Sequence, residues 1–483
     1  KMNFSTLIAT FVLLLGIEGS WGYVTNCCEE YCYGMDSERE QARHYATKTA
    51  YQIIKSGDSS RYYNIPNCEP TKFWMLSRHG TRLPSAKDMQ KLRGLIDLRD
   101  QIIDNYEKRR TKPDTGALCD ADYQGIKNWR WDSNLTGNFD NFLTTQGWDD
   151  LKFLARHYQR ILPNVLPNIY TPDKYLFRHT NIQRTEESFR AFVEGLFGVN
   201  AYQHVTLPPD NNNNNTLLRP YDYCQAYNTQ SDDIDKPNSE MNKFIASEIF
   251  QDMLNQVSQR LGFKFQLTDD QVEQIWDMCR YEQAWYLQKV SPWCAAFTKT
   301  HVEILEYKED LKYYYENGYG SSLNSKVACA LVADMMKNLE SDAQPQAIAY
   351  FAHDSAIQLL VTALGANKER DSLRADNFLQ NSRRIWRTSD IAPFGANLVA
   401  VKYSCPESNE QKKVMFFLNE KPVSLDWCRV GLCDWKDVKQ MYSQYTTTDC
   451  SRTFCGGSSA NAIKSLAALT LIPVITNILR IFK

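Results

Sequence analysis

Three times along this 483-residue chain a short apolar run gives way to a polar cluster and then to a helix-like segment. The first passes through Phe73, Trp74, Met75 and Leu76 into Ser77-Arg78-His79-Gly80, with helical spacing from about Lys87 to Tyr106. The second is Tyr175-Leu176-Phe177, followed by the polar residues Arg178 to Gln183 and a helix from Arg184 to about Phe197. In the third, Ala347 to Phe351 lead into Ala352-His353-Asp354 and a helix from Ser355 to about Leu364, stopped by Gly365. Strand, loop and helix in this order predict an α/β core whose mostly parallel central sheet is flanked by helices. Ligands of such sheets collect beyond the carboxyl ends of the strands, where all three polar clusters fall.

The pattern changes between about 207 and 330. A run from Asp210 through Asn211 to Asn215 reads as a polar surface loop with nothing to bury. Beyond it Phe244, Ile245, Ile249, Phe250, Met253, Leu254, Val257 and Leu261 recur at helical spacing, as the buried face of a helix does. We therefore expect an inserted α-helical cap at 207–330, splitting the core into 23–206 and 331–457 and shaping the pocket at the sheet's active edge. No tandem repeat is evident, and no P-loop, GxGxxG or HExxH motif occurs. None of the seven histidines sits at a metal-ligand spacing, so neither metal nor cofactor is expected.

The ends suggest a route through the cell. Leu7 to Leu15 form an apolar run behind Lys1, and Ser20-Trp21-Gly22 supplies small residues where a signal peptidase reads, so 1–22 is expected to be a signal peptide. The run is well short of the roughly 20 residues that cross a bilayer. At the other end, Gly456 to Ala460 precede an apolar stretch from Leu466 to Phe482. This pattern predicts a glycolipid-attachment signal over 458–483, with an amphipathic or spanning helix as the competing reading. Fourteen cysteines between these ends, an even count, favour disulfides in an oxidising compartment, though their connectivity stays open. The sequons at Asn134 and Asn214 suit the same compartment. A formal net charge of -2 supplies no basic field for nucleic acid, so an anionic ligand must be met by a local cluster.

Arg78-His79-Gly80-Thr81-Arg82-Leu83-Pro84 is such a cluster. A phosphomonoester dianion repels nucleophiles, so its catalyst must neutralise the equatorial oxygens while aiming an atom in line with the leaving oxygen. Arg78 and Arg82 can do the first with planar, permanently charged guanidinium groups. His79 can do the second, provided its imidazole is neutral, and neighbouring guanidinium charges push its pKa that way. Gly80 lacks the Cβ that would obstruct close approach of the backbone. A phosphohistidine intermediate then divides one difficult displacement into two easier ones.

The leaving alkoxide needs a proton, and Asp354 is the candidate acid, then base toward water in the second step. His353 would add a donor to the phosphate. A His-Asp pair before a helix also reads as a simple cap; its place opposite the Arg-His-Gly segment makes it a candidate for chemistry. At the second strand end Arg184 opens a helix, where the dipole also favours an anion. Arg178 competes for that role, and Arg184 is preferred.

These residues resemble a known family. Arg78 to Pro84 is similar to the RHGxRxP signature of the histidine acid phosphatases, and His353-Asp354 to that clan's second motif. The resemblance extends to the multiple inositol polyphosphate phosphatases. Ala46-Thr47-Lys48-Thr49-Ala50-Tyr51 is similar to their Gly-Thr-Lys-Thr segment. Asp310-Leu311-Lys312, Gly318-Tyr319-Gly320, Asn324-Ser325 and the stretch around Leu418-Asn419-Glu420 look like others, so roughly Cys27 to Cys433 is covered. The resemblance implies a phosphoglycerate mutase-like α/β core with a helical cap. It implies hydrolysis of inositol hexakisphosphate and lower inositol phosphates, with 2,3-bisphosphoglycerate a second candidate substrate. Carried over, His79 is the nucleophile, Arg78, Arg82, Arg184 and His353 bind the phosphate, and Lys48 touches a neighbouring one. One departure stands out: His353-Asp354-Ser355 occupies the place where that group commonly has His-Ala-Glu, and it matches ordinary acid phosphatases and fungal phytases. Two other readings follow: a broad-specificity acid phosphatase, and a noncatalytic surface protein that binds polyphosphorylated ligands. The second would lack the nucleophile or the acid, and neither is missing.

Overall fold

The apolar run at 73–76 lies inside β1 (Glu69–Arg78), which is buried at every position from Lys72 onward. A strand buried on both faces must sit centrally, and in this computed structural model, which describes residues 31–55, 57–209, 211–232 and 239–456, it does. The signal peptide expected at 1–22 and the lipid-attachment segment at 458–483, with Cys27 and Cys28, lie outside the described residues.

Seven strands form one sheet in the order β2-β3-β1-β4-β5-β6, where β2 is Tyr175–His179, β3 Ala347–Ala352, β4 Asn397–Ser404, β5 Lys412–Leu418 and β6 Lys421–Pro422. The last strand, β7 (Cys433–Asp434), also pairs with β5. β1 and β2 both run parallel to β3. The remaining pairings, β1 with β4 and β5 with β4, β6 and β7, are antiparallel. The α/β core flanked by helices is as expected, but the sheet is mixed rather than mostly parallel. The reason is local: β4, β5 and β6 follow one another through short connections, which cannot carry the crossover that parallel neighbours need.

Alternation along the strands divides the core. Phe73 and Met75 with Ala347, Ala349 and Phe351 face one side, covered by the helices Thr145–Ile161 and Gln183–Phe197. Trp74 and Leu76 with Ile348 and Tyr350 face the other, against Cys329–Glu340 and Asp354–Leu364. Gly365 ends the latter helix in the left-handed conformation, φ 79°, as its place in the sequence predicts.

That second core runs without a break into the helical region. The stripe from Phe244 to Leu261 forms two helices, Ser239–Ile245 and Glu248–Arg260, because Ser247 caps the second by accepting from Phe250 N. Behind them lie Asp269–Trp285, opened by a Thr268–Gln271 capping box, and Lys299–Glu316. The buried Arg260 ties in outlying chain by donating to Tyr31 O (2.5 Å), Gly116 O (2.9 Å) and Ala295 O (2.8 Å). The asparagine run is helical rather than a loop, over Asn211–Leu218, with Leu218 buried as its anchor. Six disulfides close the described chain, Cys32–Cys119, Cys68–Cys405, Cys224–Cys455, Cys279–Cys294, Cys329–Cys450 and Cys428–Cys433. They fit an oxidising compartment. Among the described residues, no helix is long and apolar enough to cross a membrane.

Candidate active site

Parallel pairing of β1 with β3 places Arg78 level with Ala352, and the ladder extends one step further as His79 N donates to Ala352 O (3.0 Å). β2 ends beside them, with Thr180 N donating to Phe351 O (3.1 Å). All three polar clusters therefore meet at one edge of the sheet. The His79 and His353 rings are 5.7 Å apart, edge to face. Arg184 Nη2 lies 3.4 Å from His353 Nδ1, and Arg78 Nη2 lies 3.7 Å from Asp354 Oδ2. Arg178 points elsewhere: it lies on the sheet face of Leu176 and interacts with Asp334 and Tyr350.

The Arg78 guanidinium is fixed before any ligand arrives. Its Nη1 donates to Thr47 O (2.5 Å) and Ala392 O (2.7 Å), and its face lies 4.7 Å from the centre of the Phe394 ring. Its Nε and that of Arg184 are buried without hydrogen-bond partners among the described residues, donors that an oxyanion would satisfy. Arg82 donates to Tyr281 Oη (3.1 Å) and to Leu83 O (2.9 Å), while Trp285 Nε1 donates to Arg82 O (3.0 Å). The helix Asp269–Trp285 is thus bonded to the signature loop itself. Lys48 pairs with Asp277 at 3.1 Å on the same side, 5.5 Å from the centre of the Tyr281 ring. Ala46, where the resembled segment has glycine, takes the left-handed φ of 49°.

Gly80 serves a different contact from the one its position suggests. A Cβ there would stand 2.4 Å from Gly147 O, and a Cβ on Gly147 would stand 2.2 Å from Thr81 O. The two glycines let the signature loop rest on the first turn of Thr145–Ile161. Gly80 N also donates to Ser188 Oγ (3.0 Å).

The hydrogen bonds set the histidine tautomers. His79 Nδ1 lies 2.8 Å from Gly80 O, which can only accept, so Nδ1 carries the hydrogen and the Nε2 lone pair is left for attack. Burial, then Arg78, Arg184, His353 and Arg82, hold this imidazole well below its ordinary pKa, so it is neutral. His353 Nε2 lies 3.0 Å from Thr180 Oγ1, and burial with Arg184 and Arg219 pushes its pKa down to about 3. Arg184 Nη2 beside Nδ1 can only donate, so in the free site His353 Nδ1 is the acceptor and Nε2 carries the hydrogen, donating to Thr180 Oγ1. Burial raises the Asp354 carboxyl, but Arg78, His353 and Arg82 outweigh it and hold it below the usual range.

Several contributors carry no recognisable signal in the sequence. Tyr281 lies on a helix whose spacing reports only its buried face. Phe394 sits in a Pro-Phe-Gly loop, and Thr180 is one of five polar residues between Arg178 and Gln183. Arg219, paired with Asp222 at 2.8 Å, adds positive charge near Arg184 and His353 from the junction after Asn211–Leu218.

The geometry gathers Arg78, Arg82, Arg184, His353 and Asp354 about a buried neutral histidine at the carboxyl ends of three strands. A family model described as Histidine phosphatase superfamily (branch 2) matches residues 71–419, and the chain belongs to that family. It is 44% identical over 448 residues to multiple inositol polyphosphate phosphatase 1 of Drosophila melanogaster, covering 92% of this chain and 95% of that one. To the Homo sapiens protein of the same name it is 25% identical, covering 87% and 90%. Within the superfamily the chain therefore falls among the multiple inositol polyphosphate phosphatases. Two solved structures share the fold. The phytase from D. castellii has a TM-score of 0.70 at 16% identity, covering 89% of this chain and 92% of that one. The Bifidobacterium longum multiple inositol polyphosphate phosphatase complexed with inositol hexasulfate has a TM-score of 0.63 at 13% identity, covering 84% and 98%.

Because the His79 pKa is lowered, its ring should bind a proton only far below the ordinary imidazole range of about 6.5. Titration followed by NMR of ring-labelled histidine should show His79 neutral at about pH 5; protonation near 6.5 would contradict this electrostatic account.

Proposed function

We propose that the chain hydrolyses inositol polyphosphates, inositol hexakisphosphate and lower forms, through a phosphohistidine on His79. The observation that carries this reading is the 5.7 Å approach of the His79 and His353 rings, with Arg78, Arg184 and Asp354 converging on the same point. Arg78, Arg82, Arg184 and His353 hold the reacting phosphate. His79 Nε2 attacks phosphorus, the bond to the leaving oxygen breaks, and Asp354 delivers the proton. Water then cleaves the P–N bond, with Asp354 accepting a proton in turn.

Asp354 is ionised in the free site, which a proton donor must not be. Substrate resolves the conflict: a phosphate dianion on Arg78 and Arg82 cancels the charges that hold the carboxyl low and adds a negative neighbour, so its proton affinity rises.

The substrate class is supported by the names of the similar proteins and by extra positive charge around the pocket. Lys48 shares the Tyr281 ring with Arg82, and Arg219 acts on Arg184 and His353, a placement suited to a ligand with more than one phosphate. The region 207–330, with its helix bonded to Arg82, is read as the cap that bounds the ring-binding space, between core parts 23–206 and 331–457. We place the protein in the secretory pathway, held at the outer cell surface by a glycolipid attached through 458–483 or, without that anchor, secreted or in the endoplasmic reticulum lumen.

Purified protein should release phosphate from inositol hexakisphosphate more efficiently than from simple monoesters, with chelator present. Equal or better turnover of the monoesters would favour the broad acid phosphatase reading. His79→Ala should lower turnover on the order of a thousandfold or more while the fold persists. Asp354→Asn should slow esters with poor leaving groups by on the order of a hundredfold or more, and activated aryl esters far less. Uniform slowing would remove Asp354 from the acid role. Treatment of intact cells with a phosphatidylinositol-specific phospholipase should free the protein; full retention would exclude the anchor.

A further inference from the structure

The two carbonyls that grip Arg78 Nη1 come from segments far apart in the chain, Thr47 from 44–48 and Ala392 from 384–394. Neither segment is a strand or long helix that would hold it in place. Both are bonded to one face of the helix Lys299–Glu316, through Glu306, Glu309 and Asp310, three residues at i, i+3 and i+4.

Glu306 is wholly buried and reaches both segments at once. On one side its Oε2 lies 3.1 Å from His44 Nδ1. On the other it accepts from Arg384 Nη2 (2.9 Å), Arg387 Nη2 (2.9 Å) and Ser389 Oγ. Arg387 Nη2 also lies 2.5 Å from His44 Nδ1, so the two segments meet around this carboxylate. Its neighbours complete the clamp. Glu309 accepts from Thr47 Oγ1 (2.5 Å), and Asp310 accepts from Thr388 N (2.8 Å) and Thr388 Oγ1 (2.6 Å). From Thr388 it is one turn to Ala392, whose N donates to Thr388 O at 2.9 Å.

We infer that Glu306 is a positioning residue for the reaction: it joins the 44–48 and 384–394 segments so that Thr47 O and Ala392 O set the angle of the Arg78 guanidinium. The inference rests on the reading of Arg78 as a phosphate-binding group. A buried ionic cluster is a poor source of net stability, since well-packed apolar side chains of similar volume often serve as well. What it supplies is geometry, because a carboxylate with several donors tolerates few arrangements. Arg384, His44 and Arg387 keep Glu306 ionised against the effect of its burial.

The test is a double-mutant cycle on the full-length protein, read as kcat and KM for an aryl phosphate and inhibition by inorganic phosphate. Ser389→Ala and His44→Ala each remove one partner of the carboxylate, and Glu306→Gln removes its charge. Misplacement of about 1 Å in a binding group can cost about a hundredfold, so Glu306→Gln should lower kcat/KM by about 10- to 100-fold and the single-partner variants by about 3- to 10-fold. Phosphate inhibition should weaken in parallel. In an Arg78→Ala background the same substitutions should change kcat/KM by less than about twofold, because the group they aim is gone. Thermal unfolding identifies folded variants, and if Glu306→Gln does not fold, the two milder variants decide. Folded variants that retain wild-type kcat/KM, or that lose as much activity without Arg78 as with it, overturn the inference. Undiminished phosphate inhibition of Arg78→Ala alone would instead overturn the reading of Arg78.

Discussion

The register of one parallel ladder governs this molecule. β1 and β3 are separated by more than half the chain, yet Arg78 falls level with Ala352, so the residue after each strand enters the same space. Because side chains alternate, a slip of one residue would turn Arg78 to the opposite face and exchange the apolar sets beneath it. Trp74 and Leu76 on one side and Phe73 and Met75 on the other make that exchange costly, each fully buried side chain contributing about 1.5–3 kcal/mol. Packing of the sheet and assembly of the site are thus a single event.

The site concentrates positive charge where water is scarce. Arg78 and His79 are buried, and Arg184 is pressed down to about pKa 10 by burial and by Arg82. Two of the guanidinium groups have rigid acceptors and a π face: two backbone carbonyls and Phe394 for Arg78, Tyr281 and Leu83 O for Arg82. These partners are mostly neutral. Acidic partners at every cation would have stabilised the empty protein while cancelling the field that a phosphate dianion needs. Among the described residues Asp354 is the carboxylate paired with Arg78, and Arg78, His353 and Arg82 hold it ionised.

Much of this was legible in the sequence because short motifs fall at strand ends, where three-dimensional position follows from topology. His79, His353 and Arg184 could be placed that way, and Arg184 could be separated from Arg178 by its place at a helix start. The antiparallel half of the sheet was not legible, since β4 and β5 carry no motif and a buried strand looks alike in either direction. Tyr281 and Phe394 were hidden for a similar reason: an aromatic side chain reads as core whether its ring faces leucine or guanidinium. The asparagine run misled because composition speaks for exposed residues, whereas one buried leucine fixed that segment. The resemblance between Asp310 and a family segment pointed to a real constraint, which lies in the backbone it holds and not in the pocket.

The paired glycines have a consequence for how such an enzyme could move. With Gly80 and Gly147 in mutual backbone contact, the loop that carries His79 leans on backbone, with no side chain between to yield. On the opposite side the loop meets the helix Asp269–Trp285 through side chains, Arg82 to Tyr281 and Trp285 to Arg82 O, contacts that rotamer changes can loosen. The loop is therefore asymmetric in its supports: backbone against backbone on one flank, side chains on the other.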